Sequence, residues 1–330
     1  MSWVTVHHGI SLAEARQIAI DVTRTEILAL QHSAIKTVQD RISHIADEIT
    51  EEVRQRLNGD FSIFGEPDFQ FILHNVGVSF AKTGDTSIEK LLVKLVGERA
   101  TEKSRSAKQS ILNEAIEICG KITERQLIIL TSIFVPMHTI AEAKNLKELG
   151  AYLEETIAGP LKDFSEDELE FDHLEFSRCI SARVAVNAKL IDYIRDGYAQ
   201  FFANGIPEER IPSNLKGYLY DKDLFTISDD DQRKVYPISL NRDELKKQLA
   251  LKPITEEDRK FLEELYTSFT FNKDITKKMI AGVSPNMNPI FEKWDRTQIE
   301  NWQLTAVGKV LAMSYARYLK IDLDYGTWLK

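Results

Sequence analysis

Residues 12–57 read LAEARQIAIDVTRTEILALQHSAIKTVQDRISHIADEITEEVRQRL and contain neither glycine nor proline. Those two residues are the ones a helix interior tolerates least, so the stretch predicts helix throughout. In its second half Ile35, Val38, Ile42, Ile45 and Ile49 recur at intervals of three, four, three and four. This spacing holds one narrow apolar stripe on one side of a helix. Val53 and Leu57 follow at intervals of four, a wider repeat that would relax any supercoil toward the end. As a single helix the stretch would reach ~70 Å. A stripe of that length and width is best buried against a second long helix. The expectation is a coiled-coil-like element over residues 1–58, through whose Ile35, Val38, Ile42, Ile45 and Ile49 seam the chain forms a homo-oligomer.

Beyond this stretch, Asn58 and Gly59 break the helix and Pro67 sits at a plausible first helical position. Phe69, Ile72, Leu73, Val76 and Phe80 then mark an amphipathic helix ending at Gly84. Thr86 and Glu89 have the spacing of a capping box for the next helix, and Thr123 and Gln126 have it for a later one. Between them a helix covers roughly Ser106 to Ile118. Short helices with short connections predict a compact antiparallel bundle. Ser181 to Phe202 reads as one further helix. After Gly205, Pro207, Pro212 and Gly217 the character changes: Tyr218–Ile227 and Val235–Leu240 are rich in aromatic and β-branched residues and flank a polar stretch, as in a β-hairpin with a long loop. Two helices follow, the second starting near Thr255. Thr305 caps a terminal helix carrying Val307, Val310, Leu311 and Tyr315, and Ile321–Lys330 alternates like a short strand. The fold class expected is mainly α, in three parts: the long helix (1–58), a helical domain (59–204) and a small α+β domain with a hairpin (205–330).

Bulk properties narrow the function classes. The chain has 330 residues and a formal charge of −9. The acid is local, since residues 151–215 carry thirteen Asp and Glu against six Lys and Arg. Basic residues are interleaved with acids rather than gathered on one face, so no nucleic-acid partner is expected. Cys119 and Cys179 are too few for a disulfide framework and sit in apolar helical sequence, which predicts two buried thiols in a reducing compartment. The opening MSWVTVHHGI has no basic region followed by an apolar run, and the apolar run Leu127–Val135 is about half a membrane span. A cytoplasmic protein with no membrane span follows as the expectation.

The succession GEPDFQFIL (65–73), KTGDTSIEKLLVKLVGERA (82–100), ILNEAIEICGKITERQLIILTSIFV (111–135) and WQLTAVGKVLA (302–312) resembles an uncharacterised family of helical bacterial proteins. The layout is also similar to the abortive-infection alpha proteins, which are linked to phage defence. The resemblance implies a helical fold and a defence setting. It supplies no catalytic residues, because its motifs are helix caps and core positions.

Candidate chemistry is sparse. None of the seven histidines stands in a metal spacing; His32 and His44 are twelve residues apart and so roughly 120° apart around a helix. Glu166, Asp167, Glu168, Glu170, Asp172 and Glu175, with His173 among them, form the densest acidic group. Hard cations prefer such carboxylates. A solvated helix start is the favoured reading, since acids are stabilised at helix N-termini. Asp221, Asp223 and Asp229–Asp231 lack the glycine and glutamate of a calcium loop. Arg178 beside Cys179 is the one electropositive neighbour of a thiol. Asp68 with Glu142 and Lys144 has the residue types of a nuclease, but on predicted helices. Arg99, Lys103, Arg105 and Lys108, with Glu98 and Glu102, read as a solvated helix face. Trp294, Trp302, Tyr315, Tyr318, Tyr325 and Trp328 read first as core and second as partner anchors.

The sequence therefore favours a non-enzymatic oligomeric scaffold or a ligand- or partner-sensing protein, with no cofactor and no metal, in a defence setting. The alternatives are a metal-dependent hydrolase or nuclease whose carboxylates converge only in the fold, and a winged-helix DNA binder. In the latter the hairpin would be the wing and Trp302–Thr305 would lead into the last helix.

Overall fold

The computed structural model describes residues 10–24, 32–139, 143–182, 189–213, 215–219, 225–227, 234–237, 242–266, 272–297 and 299–321. The first half of the chain contributes α1 (Leu12–Arg24), α2 (His32–Arg56), α3 (Pro67–Thr83), α4 (Thr86–Ala100), α5 (Ala107–Cys119) and α6 (Glu124–His138). Next come α7 (Leu146–Leu153), a π-turn (Glu154–Ala158), α8 (Gly159–Leu161), α9 (Glu168–Phe176), β1 (Ile180–Ala182) and α10 (Leu190–Gly197). The rest holds β2 (Ile206–Pro207), α11 (Lys216–Leu219), β3 (Phe225–Ile227), β4 (Lys234–Pro237) and α12 (Arg242–Ala250). It ends with α13 (Glu256–Tyr266), α14 (Lys273–Val283), α15 (Met287–Arg296), β5 (Trp302–Leu304) and α16 (Ala306–Tyr318). The architecture is mainly helical with short antiparallel strand pairs, as the sequence predicts.

Internal contacts divide the chain into two compact units. The first comprises Met1–Val135, Asp163–Val184 and Asn301–Lys330; the second comprises Pro136–Lys162 and Ala185–Glu300. The stretch 205–330, grouped as one domain on sequence, is thus shared between both.

In the first unit, the segment read as one long helix forms two that lie side by side. Arg16, early in α1, pairs with Asp47, late in α2. Both helices pack on α3, and His74 Nδ1 lies 2.6 Å from the Val22 carbonyl oxygen. The reason is economical burial. Ala15, Ala19 and Ile20 of α1 and Ile42, Ile45, Ile49 and Val53 of α2 are all buried within this one chain. The oligomer seam is therefore covered from Ile42 onward by α1, α3 and α4, while Ile35 and Val38 are half-buried. At 25 cal/mol per Å² of apolar surface, each fully buried side chain of this kind contributes about 1.5–3 kcal/mol before entropy is counted.

The centre of the unit is α16. Its sequence AVGKVLAMSYARY is apolar on nearly all sides, and such a helix belongs inside a protein. Val307, Gly308 and every residue from Val310 to Ala316 are buried, against α4 and α5. Thr305 caps it, its Oγ1 accepting from Gly308 N at 3.1 Å. Gly308 is required by close approach: a Cβ there would stand 2.0 Å from the Cys179 carbonyl oxygen. That contact comes from the β1–β5 pairing, in register Ile180↔Leu304 and Ala182↔Trp302. The same pairing overturns the helix predicted to start at Ser181, because local helical periodicity yields there to a partner strand some 120 residues away.

Other caps follow the sequence. Gly84 has φ +62° and ends α3. Thr123 and Gln126 form a reciprocal box, with Thr123 N donating to Gln126 Oε1 at 3.0 Å and Gln126 N to Thr123 Oγ1 at 3.3 Å. At α4 the cap lies one residue earlier than expected. Asp85 accepts from Ser87 N and Ile88 N, and Glu89 is free to reach elsewhere.

The second unit is built from shorter pieces joined by polar ties. Glu154 in the π-turn accepts from Ser284 Oγ at 2.6 Å and from Asn286, and these hydrogen bonds hold its carboxyl below the ordinary range. Gly150 lets α7 and α14 meet, since a Cβ there would be 2.7 Å from Val283. Lys189 Nζ donates to Glu300 at 2.7 Å. The expected hairpin is β3–β4, in register Thr226↔Tyr236, with β2 added on the far side of β4. The calcium-loop aspartates, the loop joining β3 to β4 and the proposed tail strand beyond Ile321 lie outside the described residues.

Candidate functional site

One concavity with a charged lining lies wholly in the first unit. A cleft of about 540 Å³ opens between α2, α4 and α16, within the range of small-ligand sites. Its floor is a charge. Glu52 is only 8 % exposed at its side chain, yet it holds two cations: Oε1 accepts from Arg56 Nε at 2.6 Å and Oε2 from Lys94 Nζ at 2.6 Å. Burial opposes ionisation of Glu52, but the hydrogen bonds from Lys94 and Arg56 outweigh it and keep the carboxyl below its usual pKa. The helix geometry explains the placement. Glu52 and Arg56 stand one turn apart on α2, and opposite them α4 offers Gly97. A Cβ on Gly97 would come within 2.5 Å of Glu52 Cγ and 2.8 Å of Arg56 Nε, so the glycine leaves room for the pair.

Around this floor the walls alternate in sign. Glu89, itself buried, meets His44 Nε2 at 2.7 Å. Glu98 pairs with Arg317 from α16. Lys90 Nζ lies 5.5 Å from the centre of the Tyr318 ring, a cation–π distance. Glu51, at the exposed lip, is held at about 2 by hydrogen bonds from Arg54 and Gln55. Chemically, such a cleft can trade its internal ion pairs for pairs with a guest that carries both charges. Neither sign predominates, which disfavours a polyanion. A second, smaller hollow of about 260 Å³ lies in the other unit, beside Tyr152, Tyr193 and Tyr198. It is below the usual size for a small-molecule site.

The sequence-derived candidates fall elsewhere. The acidic group does not converge: Asp167 caps α9 through Leu169 N at 3.0 Å, and Glu168, Asp172 and Glu175 point into solvent. Glu166 is also exposed. Glu170 and His173 are half-buried on the side held by Gln126, whose Nε2 reaches the Glu170 carbonyl at 3.2 Å and His173 Nδ1 at 2.9 Å. Among the described residues no group of three or more His, Cys, Asp or Glu is placed to hold a metal ion. Both thiols are buried, and burial pushes Cys179 up to about 12 and raises Cys119 too, so Arg178 does not make a reactive thiolate. Asp68 is engaged by Arg99, and Glu142 lies outside the described residues.

Arg99 departs most from its expected place. It is 2 % exposed rather than on a solvated face, with Nε donating to Asn113 Oδ1 at 2.7 Å and Nη1 to the Glu102 carbonyl at 3.1 Å. Lys108 takes Glu102 at 2.6 Å, and Glu98 turns to Arg317. Trp294 and Tyr315 are core residues, as first read, and Tyr318 is partly exposed at the cleft. A winged-helix reader needs its last helix open to DNA; α16 presents only Ala306, Arg317 and Tyr318 as exposed residues. The cleft itself was missed. Its signal was present in the polar positions Glu48, Glu51, Glu52 and Gln55 that run along one flank of the isoleucine stripe, but nothing local says that α4 and α16 close over them.

Among the described residues no helix is long and apolar enough to cross a membrane. No curated protein and no solved structure matches the chain. A family model does: that of an uncharacterised "-like" family, over residues 9–329. With nearly its whole length matched, the chain belongs to that uncharacterised family.

Proposed function

We propose that this protein works by binding, as a ligand-sensing helical protein whose receptor is the charged cleft of the first unit. The observation that carries the reading is Glu52, a carboxylate kept ionised at the floor of a cavity between Arg56 and Lys94. A buried ion pair is weak evidence for stability, since apolar residues of similar volume often stabilise as much or more. A charged trio at the bottom of an accessible cleft fits a recognition role better. The alternating walls favour a zwitterionic guest of amino-acid or short-peptide type, with Tyr318 and Lys90 at the rim. The scaffold half of the original expectation has less support, because the seam from Ile42 onward is used inside the chain's own core. A place in phage defence rests on the sequence resemblance and suits a sensor.

Thermal-shift titration tests this with two probes, a Lys-Glu dipeptide and ATP. The dipeptide should raise the melting temperature of the wild type, ATP should not, and Glu52→Gln or Lys94→Gln should remove the dipeptide's effect. A ligand at about 100 times its Kd stabilises by about 2.7 kcal/mol, well within detection. No shift with the dipeptide, or an equal shift in both variants, would contradict the reading.

A further inference from the structure

A different surface of the first unit carries a second, independent inference. The helix α9, ELEFDHLEF, places apolar residues at 169, 171, 174 and 176, which one helix face cannot hold together. Phe171 and Leu174 face the core, while Leu169 and Phe176 are left 73 % and 84 % exposed, among the most exposed large apolar side chains described. Seven residues apart, these two lie within about 20° of each other around the helix. Together they make one apolar stripe opposite the buried face.

The surroundings of that stripe are asymmetric. Asp172, Glu168 and Glu175 all fall on one flank, roughly 50 to 110° around from it, and all three are exposed. His173 and Glu170 fall on the other flank, where Gln126 ties them to α6. The platform is thus fixed on one side and acidic on the other, in the part of the chain where acids outnumber bases most strongly.

From this arrangement we infer that α9 is a docking face for a basic amphipathic helix of a partner protein. The partner's apolar stripe would cover Leu169 and Phe176, and its Lys or Arg flank would lie against Asp172, Glu168 and Glu175. Charge complementarity selects that occupant. An anionic membrane surface would meet the same three carboxylates as repulsion, and an acidic peptide would do likewise. Two anchors make a small contact, so the complex belongs to the weak, transient class. The inference does not depend on the cleft, and no residue is shared between them.

The test uses fluorescence anisotropy of a labelled Leu/Lys peptide, ~18 residues or five helical turns with leucines on one face, and the full chain. An otherwise identical Leu/Glu peptide and vesicles of phosphatidylcholine with phosphatidylglycerol are the comparison probes. Leu/Lys binding should weaken at least about tenfold in Leu169→Ser/Phe176→Ser. It should also weaken in Glu168→Gln/Asp172→Asn/Glu175→Gln, and not in Glu256→Gln/Glu257→Gln, which removes the same kind of charge from α13. All these positions are exposed, so the variants should retain the wild-type circular dichroism spectrum. Equal binding by the serine variant, equal loss in the α13 variant, binding of the Leu/Glu peptide, or a preference for the vesicles would each overturn the assignment.

Discussion

Two apolar stripes of the first unit have opposite fates. The stripe on α2, Ile42, Ile45, Ile49 and Val53, is no more than 2 % exposed at any position, whereas Leu169 and Phe176 on α9 stand in solvent. From sequence, the first looked like a surface for other molecules and the second disappeared within a run of acids. Periodicity explains the inversion. A regular three-four spacing says that one side of a helix wants cover, and it is silent on whether the cover is a second copy or the rest of the same chain. Here α1, α3 and α4 supply it. In α9 the apolar residues do not share one side, so the neighbours that bury Phe171 and Leu174 leave Leu169 and Phe176 exposed.

Substitutions can break this contrast. The largest effect is expected at the closed stripe: Ile49→Ala should cost about 2–5 kcal/mol, because a fully enclosed branched side chain leaves a cavity that α4 and α3 cannot fill. Chemical denaturation followed by circular dichroism measures it, and a cost below about 1 kcal/mol would mean that the stripe is not packed as described.

An intermediate effect concerns the polar flank of the same stripe. Glu52 has a depressed pKa in the fold, so its contribution is fully present above the unfolded-state value of about 4.3 and is lost as pH falls through the lower folded value. Glu52→Gln should therefore flatten the acid limb of a melting-temperature profile and leave its alkaline limb unchanged. An acid limb identical to that of the wild type would show that the trio with Arg56 and Lys94 contributes nothing to folding.

The smallest effect is expected at the open stripe. Phe176→Ala should change stability by no more than about 0.5 kcal/mol, the usual result at an exposed position. A loss comparable to that at Ile49 would place Phe176 in a contact and remove the basis for a docking face.

Much of the helical order was legible. The ends of α3 at Gly84, of α5 at Ser106 and of α16 at Thr305 follow from capping chemistry, which is local and needs no knowledge of the fold. The identity of the core was legible in the same way, since Trp294, Tyr315 and both cysteines are where apolar sequence put them. What escaped depends on distant partners. The strand at Ser181 exists because Trp302–Leu304 pairs with it, and Arg99 is buried because Asp68, 31 residues earlier, meets it. The cleft needs α2, α4 and α16 together, helices drawn from both ends of the chain. No window of sequence contains it.

The closed stripe is the claim on which the rest depends, since it decides whether α2 is core or interface. The direct measurement is light scattering combined with circular dichroism on the wild type and on Ile42→Asp/Ile45→Asp. Two carboxylates placed in a dry core without partners carry a penalty of several kcal/mol each, so the account predicts that the double variant loses its helical signal at every concentration. A wild type larger than one chain, together with a double variant that is a fully helical monomer, would contradict it and return the stripe to an interface.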